Sequence, residues 1–234
     1  MTLIPDEKVD LTEDPGVGPE SFRSVPDRLR EDIISGVFPA DGWLKTQELS
    51  QRYAVSTNPI REALHQLSGE GFVNISRHRG ARVRSLDEAF VRNIFDIRTM
   101  IEPYLIRVFV EQASPEDIEA ARRFQSQLER VEGDQVEWDR LDEAFHGVMY
   151  NRHFNTEALA IRQRHGQVVR ALARRYPINP ARRRNVIQDH CDILKAVEAG
   201  MVEEAVAVVE RHARGAERHL LISMRQQTVG IPRA

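Results

Sequence analysis

Cys191 is the only cysteine among 234 residues. The chain therefore cannot close an intrachain disulfide, which suits a reducing compartment. No uncharged apolar run is long enough to cross a bilayer. Met1–Glu20 holds no apolar core flanked by positive charge, so no secretory signal is predicted. Positive charge is not in excess either: the formal net charge is −3, and whole-chain composition carries no nucleic-acid signal. Neither a nucleophile motif nor a phosphate-binding glycine loop is present, which argues against most hydrolytic and nucleotide chemistry. These absences predict a soluble, cytoplasmic protein without a membrane partner.

What is present is a globular composition, 41% hydrophobic and 29% charged, with length enough for two modest domains. The charge is unevenly spread. Residues 1–20 carry one Lys against six acids, residues 21–85 ten Lys/Arg against seven acids, and residues 86–234 twenty-two against twenty-three. A basic module thus lies between an acidic tail and a near-neutral body, an arrangement compatible with DNA binding. The tail, with Pro5, Pro15, Gly16, Gly18 and Pro19 among its acids, buries too little apolar surface to fold, and residues 1–20 are expected to be disordered.

From Ser24 the pattern becomes helical. Val25, Leu29, Ile33 and Ile34 share one face, and Ser35-Gly36 ends it. Residues 37–43 read as a loop. Leu49, Tyr53 and Val55 mark a short helix and a turn; Ser56 then precedes a second helix carrying Ile60, Ala63, Leu64 and Leu67. Residues 72–76 and 81–84 read as two strands around a turn at Arg77-His78-Arg79-Gly80. Helix, helix, turn, helix, hairpin is the order of a winged helix-turn-helix. Beyond Leu86 strand signals vanish. Six amphipathic helices are expected over 87–112, 115–132, 136–151, 156–176, 180–199 and 202–225, with Ser114-Pro115 a strong helix start. The fold class is mainly α: an N-terminal winged helix-turn-helix (21–85) and a C-terminal bundle of six or seven helices (86–234).

Two constellations carry chemistry. In the basic module, Ser56, Thr57 and Asn58 open the second helix of the helix-turn-helix, and Arg61 sits one turn in. The first turn of a recognition helix approaches base edges, where short polar groups and a forked guanidinium read or anchor DNA. Arg77, His78, Arg79 and Gly80 form the wing tip, and Arg77 and Arg82 are candidate phosphate contacts. As isolated surface charges these arginines would mean little; as a set on a helix and a wing they read as a DNA footprint.

In the helical half, Asp142 and His146 are four apart on one helix and share a face. His190 and His212 lie eleven residues either side of Met201. In an antiparallel hairpin turning at Gly200 this puts them at one height, and eleven residues is about three turns, so their facing is similar. Three imidazoles and a carboxylate could then converge on a divalent ion, zinc or another first-row metal such as nickel or manganese. His219, seven residues after His212, shares its face and competes; His65, His78, His153 and His165 lack such an argument.

The residues also carry a resemblance. The runs Leu29–Gly36, Gln47-Glu48-Leu49-Ser50, Val55–Leu64 and Leu67–Val73 resemble the DNA-binding domain of the GntR family of regulators. Ile97–Pro103, Asp142 with Phe145-His146, His190 ahead of Ile193–Val197, and Glu203, Ala205, Val209 and His212 resemble its FCD effector domain. The resemblance covers nearly everything after the tail. It departs at Thr57-Asn58, where relatives commonly carry Arg then Thr, and at Gln47, a commonly basic position, so an operator sequence is not carried over. The resemblance implies a homodimeric regulator, repressor or activator, reading a roughly palindromic DNA operator. It implies a metal held by Asp142, His146, His190 and His212, with a small carboxylic acid bound at or beside it. Arg98 is the candidate to grip that acid with its planar fork, the competing role being an ion pair with Glu102; Arg162 and Arg170 are weaker candidates. The alternatives are a metal-dependent hydrolase and a regulator whose metal is purely structural.

Overall fold

The computed structural model describes residues 24–76 and 80–229. The acidic tail and the wing-tip residues Arg77, His78 and Arg79 lie outside the described residues.

Helix α1 (Val25–Ile34) begins where Ser24 caps the Asp27 amide and Pro26 occupies the first turn; a proline there gives up no hydrogen bond. Leu29 and Ile33 face inward. Helix α2 (Thr46–Tyr53) stops at Ala54, which takes the left-handed conformation at φ 53°. The chain thereby turns sharply into α3 (Thr57–Glu70), and Leu49, Ile60, Leu64 and Leu67 meet over α1. Arg30 locks α1 to the far end of α3: its Nε and Nη2 each donate to the buried Glu70 carboxylate at 2.8 Å. Gly71, at φ 94°, closes α3.

Strands β2 (Val73–Ser76) and β3 (Gly80–Val83) pair antiparallel, Asn74 opposite Arg82. The 37–43 stretch, expected as loop, ends in a third short strand, β1 (Trp43–Leu44), which pairs with β3 in a sheet of order β1-β3-β2. Two residues are too few for a periodicity signal; tertiary pairing creates this strand. It also explains Gly80. At φ 89° its missing Cβ would stand 2.7 Å from the Leu44 carbonyl oxygen, so only glycine lets the two strands approach there.

The second half is helical as expected: α4 (Glu88–Gln112), α5 (Pro115–Leu128), α6 (Gln135–Tyr150), α7 (Thr156–Arg175), α8 (Pro180–Glu198) and α9 (Val202–Val229). Each of the first five starts at a side-chain cap: Asp87, Ser114, Asp134, Asn155 and Asn179. Ser114 and Asp117 form a reciprocal capping box, which satisfies two otherwise orphaned amides. Helix α5 ends four residues early, because Arg130 and Val131 bond back only three residues. At the other end α9 runs on past 225, where Arg225 clamps Glu88 of α4 with bonds of 2.9 and 2.6 Å.

Helix α4 lies along α9, α5 packs on α6 and α8, and α8 returns on α9 through Gly200 at φ 67°. The two halves share one apolar core. Val168, Ala171 and Leu172 of α7, Tyr176 just past its end, and Leu220, Leu221 and Met224 of α9 join Leu29, Ile33 and Phe72 in a single cluster. Arg175 of α7 also donates from Nη1 to the Ile34 carbonyl at the end of α1. Among the described residues no helix is long and apolar enough to cross a membrane.

Candidate metal centre and nucleic-acid face

Helix α6 is apolar on one side, with Trp138, Leu141, Phe145 and Met149 buried. That face turns Asp142 and His146 inward beside it, toward the α8–α9 hairpin. His190 of α8 and His212 of α9 face them from the two helices of the hairpin. Asp142, His146, His190 and His212 each present one ligand atom, all within 4.8 Å of one another. The three imidazoles form a near-equilateral triangle, with ring centroids 5.1, 5.2 and 5.1 Å apart. All three rings are buried, His190 completely. His219, the competitor on spacing, is not one of these four, although it lines the cavity beside them; its Nε2 lies 3.3 Å from the Pro177 carbonyl.

Neighbouring side chains orient the rings. His190 Nδ1 lies 2.9 Å from Gln125 Oε1. The Gln125 Nε2 donates to Glu129 Oε1 at 2.9 Å, so Oε1 accepts and His190 carries its proton on Nδ1. Phe145 stacks on the same ring at 4.0 Å. His212 Nδ1 lies 3.4 Å from Asp189 Oδ2, and Arg211 donates to the other Asp189 oxygen at 2.8 Å. Burial works against the Asp189 carboxylate, but the neighbouring His212 imidazole and the Arg211 guanidinium hold it below the usual range.

The electrostatics favour the neutral form of His146 and His190. Burial first, then the neighbouring imidazoles and guanidinium groups, drives His146 well below the ordinary histidine value; burial, His212 and Arg182 do the same to His190. A metal needs this neutral form. Burial also raises the Asp142 carboxyl against the pull of nearby cations. The fit can be judged on the rings themselves. His146 Nδ1 and His190 Nε2 are buried with no hydrogen-bond partner, a state that costs about 1–3 kcal/mol per group unless something fills it. Three imidazoles and one carboxylate suit zinc or a neighbouring first-row ion. The residues fit a divalent metal.

A cavity of about 100 Å³ opens beside this group, touching Asp142, His146 and His212. Arg98, Arg162, Arg170 and Arg182 line it, with Asp139 and Glu143. Arg98 makes the ion pair with Glu102: its Nε donates to that wholly buried carboxylate at 2.7 Å, and the residue also borders the cavity. Burial opposes that carboxylate, yet Arg98 and Arg162 keep it below its usual range. Arg162 is almost fully buried, donates to Glu143 at 3.2 Å and lies 4.6 Å over the Tyr150 ring. Arg170 reaches the same Glu143 at 2.5 Å, and Arg182 donates to the His212 carbonyl at 2.9 Å. Gln125, Asp189 and Arg182 escaped sequence reasoning. Nothing local marks Gln125; Asp189, beside His190, was at least a neighbour of a candidate.

Of the candidate DNA residues, all but the wing-tip Arg77, His78 and Arg79 fall among the described residues. Ser56, Asn58 and Arg61 are exposed and Thr57 half-buried at the start of α3, while Gln47 is exposed in the first turn of α2. Gly80 stands at the edge of the wing, held by its approach to Leu44. Arg82 is exposed but engaged: it donates to the Asp41 carbonyl at 3.0 Å and pairs with its carboxylate at 3.2 Å.

Comparison with known proteins adds two family matches. Residues 22–83 match the bacterial regulatory proteins of the gntR family, and residues 93–215 match the FCD domain. The chain is 36% identical over 124 residues to the HTH-type transcriptional repressor GlaR of Escherichia coli, covering 50% of this chain and 56% of that one. It is 27% identical over 124 residues to the gluconate operon transcriptional repressor of Bacillus subtilis, covering 53% and 49%. It thus spans about half the length of these relatives. A crystal structure of a GntR-family transcriptional regulator from Pseudomonas syringae pv. tomato superposes with a TM-score of 0.54 at 25% identity, covering 88% of this chain and 86% of that one. Escherichia coli McbR/YncC shares the fold, with a TM-score of 0.60 at 21% identity over 87% and 96% of the two chains.

Proposed function

The chain belongs to the GntR family of bacterial regulatory proteins and carries an FCD domain, and from that membership we propose a DNA-binding transcription regulator whose operator affinity is set by a small organic acid. The acid binds at or beside a divalent metal, zinc in the first instance, held by Asp142, His146, His190 and His212. Residues 21–85 contact DNA and residues 86–234 bind the effector. The observation that carries this reading is the buried triangle of imidazoles with Asp142, opening onto a cavity edged by arginines.

When bound, the ion supplies positions that an acid's carboxylate can occupy. The protein's own groups do the rest. Gln125 holds His190 in one tautomer and Asp189 steadies His212. Arg98, Arg162 and Arg182 bring positive charge to a site otherwise lined by Asp139, Asp142 and Glu143. A cavity of about 100 Å³ is small beside the roughly 300–1,000 Å³ of drug-sized ligands, and so selects a small acid.

On the DNA side, Ser56, Thr57, Asn58 and Arg61 enter a major groove, with Gln47 and the wing residues Arg77, His78, Arg79 and Gly80 contacting the flanking duplex. Two copies read a roughly palindromic operator as a homodimer. An exposed apolar row on α4, Ile97, Met100 and Tyr104, supports self-association. The named relatives are repressors, and repression is the mode proposed here. Helix α7 couples the domains. Arg162 and Arg170 border the cavity, while Ala171, Leu172 and Arg175 of the same helix contact the DNA-binding half. A cleft of about 540 Å³ between α1 and α7 leaves room for rotation. An acid that binds the two domain arrangements unequally then shifts DNA affinity.

The test is elemental analysis of wild type, His146→Ala and His212→Ala, followed by operator binding with and without carboxylic acids. Stoichiometric metal lost in both variants, with an acid altering operator affinity, is expected. Metal retained in the variants moves the site. Metal without any acid response favours a structural ion, a reading to which the Arg98–Glu102 pair lends weight. The hydrolase alternative has no support in a family of regulatory proteins.

A further inference from the structure

One carboxylate oxygen beside the proposed centre has nothing to bind. Asp139 precedes Asp142 by three residues and His146 by seven on α6, so all three lie on one helix face. Its Oδ1 accepts from Gln135 at 2.6 Å. Its Oδ2 is buried and without a hydrogen-bond partner, and the residue lines the cavity. The cations around that cavity are committed elsewhere: Arg98 to Glu102, Arg162 and Arg170 to Glu143, Arg182 to the His212 carbonyl. A buried acceptor that its own protein leaves unpaired calls for a donor from outside.

We propose that Asp139 is a specificity-determining residue: it accepts a hydrogen bond from a hydroxyl or ammonium group on the effector, which is therefore a short hydroxy or amino acid and not a plain carboxylate. This rests on the reading of the cavity as the effector site. Three residues of helix rise by about 4.5 Å, so the donor sits about two to four atoms beyond the carboxylate that faces Asp142 and His146. Burial pushes the Asp139 carboxyl up to about 6. At neutral pH it is still mostly ionised, and so accepts. A site built to bond a ligand donor rejects the analogue that lacks it far more strongly than an apolar pocket rejects a missing methylene.

Isothermal titration of the zinc-loaded full chain tests this with unsubstituted C3–C5 monocarboxylates, each beside its 2-, 3- and 4-hydroxy and amino counterparts. In wild type at least one donor-bearing acid is expected to bind about tenfold or more tightly than its unsubstituted partner. That ratio should collapse to near one in Asp139→Leu. Asp139→Asn, which keeps an acceptor oxygen, should retain part of the hydroxyl preference and lose the ammonium preference; it carries the test if the leucine variant fails to fold. Metal content and melting temperature are followed in each. If acids bind but both members of every pair bind alike, or if the preference survives in Asp139→Leu, Asp139 is merely hydrated and the proposal fails while the effector reading stands. No acid binding by the metal-loaded protein overturns both.

Discussion

His190 donates through Nδ1 to Gln125 Oε1 at 2.9 Å and turns its Nε2 toward Asp142 Oδ1, 3.6 Å away. The first contact determines the second, because an imidazole that gives its proton to one side offers its lone pair to the other. Gln125→Leu removes this constraint without touching a ligand. Outer partners of this kind typically matter 10–100-fold in metal affinity, and a loss of that size is expected in competition with a chromophoric chelator. Unchanged affinity would mean that Phe145 stacking alone orients the ring.

Acid should destabilise the metal-free protein. His146 and His190 lie well below the ordinary value through burial, and burial likewise lowers His165, to about 4. Between those values and the unfolded value near 6.5 the unfolded chain binds more protons, so stability is present at neutral pH and lost as pH falls. Each such histidine contributes a slope of up to about 1.4 kcal/mol per pH unit. Asp139 and Asp142, raised by burial, pull the other way, Asp139 only as pH falls toward about 6. Urea unfolding from pH 7 to pH 5 should give a declining free energy; a flat or rising one contradicts the burial of these rings.

Arg61 is exposed at the start of α3 and supports no packing. Arg61→Ala should weaken operator binding tenfold or more, within the roughly 1–3 kcal/mol of a good base contact, and leave the melting temperature unchanged. Fluorescence anisotropy with a labelled operator reads the effect; equal affinity would remove α3 from the groove.

Gly80→Ala should destabilise the N-terminal half by about 1–3 kcal/mol, since it combines a left-handed backbone with a close approach to the Leu44 carbonyl. Chemical denaturation measures the loss. A neutral substitution would imply that β1 yields easily.

Arg175→Ala cuts the bond from α7 to the Ile34 carbonyl and spares the cavity. Metal and acid binding should persist while the acid's effect on operator affinity changes by about 0.5–2 kcal/mol, the usual scale for residues along a coupling route. Operator titrations with and without acid report it; an unaltered coupling energy would shift transmission to α9.

The chain determined much of this locally. Periodicity marked nearly every helix, and Ser114-Pro115 announced its capping box. Asp142 and His146 were joined by a four-residue spacing, and His190 and His212 by their symmetry about the Gly200 turn; the structure gathers all four. Such signals are legible because helix geometry is short-range and repeats. Other features needed the folded molecule. Strand β1 exists only because β3 pairs with it, and Gly80 is a glycine because Leu44, far along the chain, comes close. Gln125 meets His190 across sixty-five residues, and Arg98 proved to be a buried partner of Glu102 that also borders the cavity. Whether a polar side chain is solvated, paired or left waiting, as Asp139 Oδ2 is, depends on which helices pack around it. Spacing along one chain cannot encode that, because burial is a property of neighbours brought together from afar.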